Sequence, residues 1–208
     1  MDVIKVNKVV PKLRFRGFDS EWKQTALGNT SEIIGGGTPE TVKPEYWGGM
    51  IQWFTPSELK QKYVSKSKRT ITDIGLKKSS AKILPEGTLL FSSRATVGEV
   101  AITLNECCTN QGFQSLVLKR GYDPYFIYSA GDLIKKYALS KASGSTFLEI
   151  SSKIFGDLDL SVPQSEDEQK RIGSFFKNID ELITKHQKKY NRLLTLKKWI
   201  FGPFQLRK

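Results

Sequence analysis

In the last fifth of the chain, mostly apolar residues recur every seven positions, and this repeat constrains the fold more than any other feature. The repeated positions are Ile172, Ile179, His186, Leu193 and Ile200. A second set, three positions later, contains Phe175, Leu182 and Leu196, with Lys189 interrupting, and the stripe is widened by Phe176, Ile183 and Tyr190. This spacing predicts a long helix with a heptad stripe, typical of a coiled coil.

The predicted helix spans residues 165–201. Ser165 and Glu168 have the spacing of a capping box, and the acidic run Glu166–Glu168 suits the positive end of the helix dipole. Gly202 and Pro203 end the helix. At 1.5 Å per residue, the helix forms a rod of roughly 50 Å.

A rod of this length needs another helix beside it to bury its stripe. No other segment has a comparable helical length, so the stripe predicts pairing with a second copy or with a related subunit. The alternative is that the helix folds back on the rest of the chain. The residues expected to make the pairing contacts, here called the seam, are Ile172, Phe175, Phe176, Ile179, Leu182, Ile183, His186, Leu193 and Leu196. His186 is expected to be a packed residue that sets the register.

For residues 1–158, here called the head, the sequence predicts a mixed α/β domain, so the fold class is α+β. The runs "GTLLFSS", "GEVAITL" and "FQSLVLKR" predict strands, and "PYFIYSAGDLIKKYALSKA" predicts a helix. The expected buried face of that helix is Phe126, Ile127, Leu133, Ile134, Tyr137 and Ala138. Residues 159–164 are expected to link the head to the long helix, and residues 202–208 to form a tail.

The charge of the chain favours a polyanionic partner. Lys and Arg number 33 against 21 Asp and Glu, which gives a net charge of +12 and points to nucleic acid or an anionic membrane surface. No apolar run approaches the ~20 residues that span a bilayer, and no signal peptide is visible at the N-terminus. We therefore expect a cytoplasmic protein without a membrane partner.

Few residues suggest catalysis. His186 is the single histidine, which argues against histidine-dependent mechanisms, and adjacent Cys107 and Cys108 are expected to be ordinary strand residues. "IGGGTPE" lacks the Gly-Lys-Ser/Thr ending of a phosphate loop, so it predicts a tight turn. "YDPYF" also predicts a turn, before a helix. No cofactor or metal is expected.

Polar residues without catalytic character predict contacts with DNA. Arg, Gln, Asn and hydroxyl side chains match the donors and acceptors of base edges; the candidates are Ser92, Ser93, Arg94, Thr96, Asn110, Gln111, Gln114, Ser143, Ser145 and Thr146. Basic side chains neutralise phosphates; the candidates are Lys60, Lys62, Lys66, Lys68, Arg69, Lys77, Lys78 and Lys141. The alternative is a set of ordinary polar loops beside a solvated basic surface.

Six segments in order resemble the specificity subunit of type I restriction–modification enzymes. They are "VPKLRFRGFDSEWKQTALG", "GGTP" with "YWGGMIQWFTPSEL", "GLKKSSAKILPEGTLLFSSRATVGEVAI", "NQGFQSL", "GSTFLEIS" and "VPQSEDEQKRIGSFFKNIDELI". The resemblance extends from about Pro11 to Lys198 and implies target-recognition domains, each followed by a long helix, whose helices pair antiparallel. It also implies double-stranded DNA and methyltransferase and restriction subunits as partners, with catalysis left to those partners and no binding of S-adenosylmethionine or ATP.

The chain departs from the family in having one head and one long helix instead of two of each. Two copies that pair their helices would restore the complete arrangement and read a gapped, symmetric target. Pairing with a different half-subunit stays open. Other hypotheses are an adaptor that pairs with specificity or methyltransferase subunits without binding DNA, and an enzyme in its own right, for which the sequence offers no cofactor loop or metal cluster.

Overall fold

A computed structural model describes residues 10–94, 96–144 and 148–201. The strands are β1 (Lys23–Ala26), β2 (Ser31–Gly35), β3 (Trp47–Phe54), β4 (Tyr63–Val64), β5 (Arg69–Ile71), β6 (Leu89–Phe91), β7 (Val100–Thr103), β8 (Cys107–Thr109), β9 (Gln114–Leu118) and β10 (Asp159–Val162). The α-helices are α1 (Leu27–Thr30), α2 (Asp73–Lys77), α3 (Pro124–Ser129), α4 (Gly131–Lys141), α5 (Ser152–Gly156) and α6 (Glu166–Phe201). Single 3-10 turns at Pro44–Tyr46 and Pro56–Glu58 flank β3.

The strands form three sheets. The central sheet has the order β2-β9-β6-β7-β4, a second sheet has the order β5-β3-β8, and β1 pairs with β10. Pairings β3–β8 and β4–β7 are parallel, and the others are antiparallel. The three strands predicted from the sequence are β6, β7 and β9. The predicted fold class, a mixed α/β head followed by a long helix, is confirmed.

The central sheet is covered on both faces. On one face, Leu116 of β9 lies in a core cluster with Ile127 and Ile134 of the helices; on the other, Phe113, directly before β9, lies in a core cluster with Phe54 and Cys107 of the second sheet. Side chains alternate between the faces of a strand, so both sets of positions in β9 are apolar where the sheet is covered. The sheet therefore holds its strand ends, and the loops that follow them, in fixed positions.

Two expectations about the head need correction. The predicted helix is interrupted at Ala130 and forms α3 and α4, and Leu133 is 52% exposed instead of buried. The expected linker, residues 159–164, contains β10, which pairs with β1 and buries Leu160 and Val162 in the head core. Sequence reasoning missed this strand because it is four residues long and lies directly before the helix start.

The first turn of α6 is anchored to the head. Ser165 caps it by accepting a hydrogen bond from the Glu168 backbone N–H at 3.4 Å. The buried Glu168 carboxylate accepts hydrogen bonds from Arg14 Nε and Nη2, both at 2.7 Å, and from Trp22 Nε1 at 3.2 Å. The Gln169 amide donates to the Gly121 and Pro163 carbonyls and accepts from Asp123 N–H. The helix therefore leaves the head in a defined direction.

Two further contacts extend this junction along α6. Gly173 lies so close to α3 that a Cβ there would come 2.5 Å from Asp123 Oδ1 and 3.0 Å from Phe126 N. About two turns further on, the Asp180 carboxylate accepts a hydrogen bond from the Tyr125 hydroxyl at 2.8 Å and forms an ion pair with Lys62 at 2.9 Å. The head thus contacts α6 from Glu168 to Asp180.

Most of the seam lies on the other side of α6. At about 100° per residue, Gly173 and Asp180 project from the side of the helix away from His186. Ile172 packs partly on the head core and Phe175 contacts Phe15, with ring centroids 5.6 Å apart. From Leu182 onward the seam is exposed, with Leu182 at 56% and Leu193 at 55%. The stripe therefore lies on the head only at its first residues, and from Leu182 onward the described part of it does not fold back on the head.

Candidate nucleic-acid interface

Five loops meet at one end of the head, here called the loop end: residues 36–38, 55–58, 93–96, 110–112 and 143–149, of which 95 and 145–147 are outside the described residues. Backbone hydrogen bonds connect them: Gly37 N–H donates to Thr109 O at 2.8 Å, Ser93 N–H to Gly112 O at 2.8 Å, and Asn110 N–H to Phe54 O at 3.0 Å. Residues far apart in the sequence are thereby gathered on one surface.

Arg94 belongs to the loop end and contacts its last loop. Its backbone forms a β-bridge with Glu149, and its Nε is 3.7 Å from a Glu149 carboxylate oxygen. The Arg94 side chain is 49% exposed. A half-exposed ion pair at this distance is weak, because water screens it. The guanidinium is therefore held near the surface and keeps donors for another acceptor.

Two amide side chains belong to the same group of loops. Thr38 Oγ1 donates a hydrogen bond to Gln111 Oε1 at 2.6 Å, and the Gly112 backbone N–H donates to Asn110 Oδ1 at 2.9 Å. Each contact uses an amide oxygen and fixes the side chain. In the described part of the chain the Gln111 and Asn110 amide nitrogens have no hydrogen-bond acceptor, so both can donate to a ligand.

Three of the predicted base-reading residues face inward, which corrects the prediction. Ser92 and Ser93 are fully buried. Ser92 Oγ donates to the Thr96 carbonyl and accepts from Glu99 N–H at 2.8 Å, so it shapes the turn between β6 and β7. Gln114 is partly buried, and its Oε1 is enclosed without a hydrogen-bond partner among the described residues.

The remaining predicted base-reading residues divide into two groups. Thr96 and Ser143 are exposed at the loop end. Ser143 exchanges two backbone hydrogen bonds with Glu149, at 3.0 and 2.9 Å, which closes the turn that carries it. Ser145 and Thr146 lie outside the described residues. The surface assembled by the described loops thus presents Arg94, Thr96 and Ser143 together with the two amides.

The predicted phosphate-binding residues do not form one patch. Lys66 and Lys68 are exposed next to the loop end, since Lys68 N–H donates to Glu58 Oε1 at 2.6 Å. The exposed Arg69 guanidinium lies 3.4 Å from the Trp47 ring centroid. Lys77 and Lys78 are exposed at the end of α2, and Lys141 at the end of α4. The continuous run in the sequence is divided because β4, β5 and α2 carry its members to different places.

Lys60 and Lys62 line a groove of about 860 Å³ between the head and α6. Lys62 is ion-paired with Asp180, so the prediction that it binds phosphate freely needs correction. The helix contributes three lysines to this groove that the sequence analysis did not select: Lys177, Lys185 and Lys188. Their helical spacing places all three on the side of α6 that faces the head. This spacing is the sequence signal from which they could have been predicted.

Aromatic residues of α3 form the floor of the groove. Burial, together with the hydrogen bond to Asp180, raises the pKa of Tyr125. Burial and the nearby Asp180 carboxylate raise the pKa of Tyr128 to about 12. Both phenols are therefore neutral at physiological pH, and Tyr125 serves as a hydrogen-bond donor to the helix.

No clusters of His, Cys, Asp and Glu suited to a metal ion occur within the described ranges. Burial raises the pKa of Cys107 to about 11 and that of Cys108 to about 12, and both thiols are inaccessible. Among the helices that the structure describes, none is both long and apolar enough to cross a membrane.

Comparison with known proteins finds relatives over nearly the whole chain. The MjaIX type I restriction enzyme specificity subunit of Methanocaldococcus jannaschii is 34% identical over 198 residues, covering 89% of this chain and 45% of that subunit. The EcoR124I/EcoR124II specificity subunit of Escherichia coli is 28% identical over 179 residues, covering 82% and 43%. The chain therefore spans less than half the length of these curated relatives.

Solved structures share the fold. A chain from a structure describing complex assembly and conformational transition of the type I R-M system superposes with a TM-score of 0.70 and 21% identity, covering 89% of this chain and 45% of that chain. The HsdS subunit from Thermoanaerobacter tengcongensis superposes with a TM-score of 0.65 and 18% identity, covering 84% and 41%.

The resemblance drawn from six sequence segments is confirmed by a family model. The model for the type I restriction modification DNA specificity domain matches residues 19–195, which include the head from β1 onward and most of α6. The chain belongs to the type I restriction modification DNA specificity domain family.

Proposed function

We propose that this chain is the DNA-recognition subunit of a type I restriction–modification complex, a cytoplasmic protein that directs methyltransferase and restriction subunits without catalysing a reaction itself. Residues 1–158 would read one half of a gapped target, and residues 165–201 would pair with a second helix. The observation that carries this proposal is the loop end, where donors from distant segments share one surface within a DNA specificity domain.

The chemistry of the loop end suits base edges. A guanidinium matches the O6 and N7 acceptors of guanine, and an amide matches the N6 and N7 groups of adenine. Arg94 and Gln111 supply these two groups, and their carboxylate and hydroxyl partners orient them in advance. The weak contact between Arg94 and Glu149 would be exchanged for a base at small cost.

Phosphate binding would come from the exposed lysines beside this surface. Lys66 and Lys68 connect to the loop end through Glu58, and Lys141 precedes its last loop. Such contacts fix position and carry most of the salt-dependent affinity, while the base-reading residues supply the choice of sequence.

The exposed stripe of α6 supports pairing through the seam. The chain covers 45% of a relative named as a specificity subunit, so two copies have about the length of one such subunit. Two heads on paired helices would read a symmetric, gapped target. A different half-subunit as the partner would give an asymmetric target instead.

Replacement of Arg94 by alanine tests base reading. In the assembled methyltransferase complex, the map of methylated bases should show relaxed specificity at one position of each half-site, with a discrimination loss of about 1–3 kcal/mol. Arg120→Ala is the matched control, because Arg120 is exposed at the opposite end of β9; its map should equal that of the unmodified chain.

An unchanged map for Arg94→Ala would remove Arg94 from base reading. Binding of the purified chain to duplex DNA at two salt concentrations tests the wider proposal. A reader of DNA must show a steep loss of affinity as salt increases. If the chain does not bind duplex DNA at low salt but still binds methyltransferase subunits, it would instead be an adaptor.

A further inference from the structure

The loop end contains two carboxylates, and they differ in how far the protein uses them. Glu58 is engaged by the backbone, since its Oε1 accepts from Lys68 N–H at 2.6 Å and its Oε2 from Thr55 N–H at 2.7 Å. Glu149 is 47% exposed, and its Oε2 lies 3.7 Å from Arg94 Nε, which is longer than a hydrogen bond. Within the described residues no hydrogen-bond donor reaches the Glu149 carboxylate, so it keeps its acceptor capacity for a ligand.

The backbone holds Glu149 in a fixed position. It forms a β-bridge with Arg94 on one side and with Ser143 on the other. The next residue, Ile150, is buried in the head core, and its N–H donates to Ser93 O at 3.1 Å. Successive side chains of an extended segment point to opposite sides. Burial of Ile150 therefore directs the Glu149 carboxylate outward, to the surface on which DNA is proposed to lie.

The other side chains proposed to read bases present mainly donors. The Gln111 amide oxygen accepts from the Thr38 hydroxyl, and the Asn110 amide oxygen accepts from Gly112 N–H, so both amide nitrogens are left for a ligand. The Arg94 guanidinium can only donate. In the major groove, however, cytosine N4 and adenine N6 are donors that need an acceptor. The Glu149 carboxylate supplies a charged acceptor, which makes stronger hydrogen bonds than a neutral one.

Charge also argues for a base partner at Glu149. DNA brings further negative charge to this surface, so a carboxylate there opposes binding unless it gains a donor. If Arg94 turns to a base, Glu149 loses its nearest cation and becomes an unpartnered charged acceptor, which is unfavourable in an interface. A base amino group would supply the missing donor. A base carbonyl oxygen at the same place would repel the carboxylate and be rejected.

On the basis of the proposed function, we infer that Glu149 is a specificity-determining residue that accepts a hydrogen bond from a base amino group in the major groove. That group is N4 of cytosine or N6 of adenine. Arg94 and Glu149 then separate on the DNA, and each exchanges a weak contact with the other for a base group of the opposite kind. One ion pair at the loop end thereby reads both a base acceptor and a base donor.

Removal of single amino groups from the DNA tests this inference in the assembled methyltransferase complex. Once the map of methylated bases gives the half-site, each cytosine in turn is replaced by 2-pyrimidinone and each adenine by purine, which lack only the amino group. One such duplex should bind the unmodified chain roughly tenfold more weakly than the normal target, and Glu149→Ala by about twofold or less. Arg94→Ala should still respond to that duplex. The analogue that gives the effect tells cytosine from adenine.

Comparison of variants on the same duplex removes the effect of the analogue on base pairing itself, since every variant meets the same DNA. Glu86→Gln is the matched control, because Glu86 is an exposed carboxylate before β6, at the opposite end of that strand from residues 93–96. It should respond as the unmodified chain does. Glu149→Gln keeps the size of the side chain and should respond less than the unmodified chain, because a neutral oxygen accepts more weakly.

Two results would overturn the inference in different ways. If Glu149→Ala and Glu149→Gln respond to every analogue as strongly as the unmodified chain, Glu149 does not read a base, and the proposed function stands. If the complex with the unmodified chain neither methylates nor binds a defined sequence, the proposed function fails and the inference fails with it.

Discussion

The Tyr125 hydroxyl donates a hydrogen bond to the Asp180 carboxylate at 2.8 Å, which joins the core of the head to the middle of α6. Lys62, directly before β4, forms an ion pair with the same carboxylate at 2.9 Å. Together with Glu168 at the first turn, this contact fixes the helix to the head at two points about twelve residues apart. The direction of the helix relative to the loop end is therefore built into the fold.

Tyr125→Phe should weaken this junction while the head stays folded. Loss of a hydrogen bond to a charged group costs about 1.5 kcal/mol, so chemical unfolding should show a decrease of that size in the free energy of unfolding. Tyr122→Phe is the control, since the Tyr122 hydroxyl makes no hydrogen bond among the described residues. Equal stability of the two variants would show that the Tyr125–Asp180 contact contributes nothing.

Gly173→Ala should destabilise the protein although alanine favours a helix. A Cβ at Gly173 would come 2.5 Å from Asp123 Oδ1, and overpacking of this kind costs about 1–3 kcal/mol. Gly131→Ala in α4 meets no atom within 4 Å and should be neutral or stabilising by up to about 1 kcal/mol. Thermal unfolding of both variants measures the difference; a Gly173→Ala chain as stable as Gly131→Ala would contradict the close approach.

The double substitution Lys66→Ala, Lys68→Ala should weaken binding to all DNA sequences. Each phosphate contact that is lost should reduce the slope of log affinity against log salt by about one unit. Fluorescence anisotropy with a random duplex at several salt concentrations measures the slope. Lys12→Ala, on the exposed segment near the start of α6, should leave it unchanged, and an unchanged slope in the double variant would exclude both lysines from the interface.

The two cysteines should resist thiol reagents in the folded chain. Burial raises the pKa of Cys107 to about 11 and that of Cys108 to about 12, so at pH 8 roughly one Cys107 thiol in a thousand is a thiolate. Both should react with a disulfide reagent at the rate of unfolding, measured by the absorbance of the released thiolate. Rapid reaction without denaturant would contradict their burial.

The same shifts predict weaker folding in alkali. A thiol whose pKa is raised in the folded state contributes to the free energy of unfolding. The contribution is fully present below the pKa of the unfolded state, near 9, and is lost as the pH rises towards 11. Cys107→Ala should reduce the dependence of the unfolding midpoint on pH in this window. An identical pH dependence with and without Cys107 would show that the thiol does not contribute.

The long helix could be predicted from the sequence because its signals are local. A heptad stripe, the Ser165 cap and the Gly202–Pro203 stop each act within a few residues, and α6 was found within one residue of the expected start. The side of α6 that contacts the head was harder to predict. Gly173 and Asp180 owe their roles to α3, about fifty residues earlier in the chain.

The candidate site could be predicted only in part, because exposure depends on strand pairing. Ser92 and Ser93 have the composition of a surface loop, yet the β6–β9 pairing continues through the bridge between Ser92 and Phe113 and buries them. Arg94, one residue further along the chain, is exposed. Similarly, the basic run from Lys60 to Lys78 is one feature in the sequence but passes through β4, β5 and α2, which separate its members.

The side of α6 that contacts the head is distinct from its exposed apolar side, and this division has a consequence for how such proteins diversify. The head contacts one side through Tyr125 and Lys62, and the seam on the other side is exposed from Leu182 onward. Substitutions that alter the loops leave the scaffold unchanged. Under the proposed function, a lineage would therefore acquire a new methylation pattern through substitutions in a few exposed turns, while the residues that contact α6 stay unchanged.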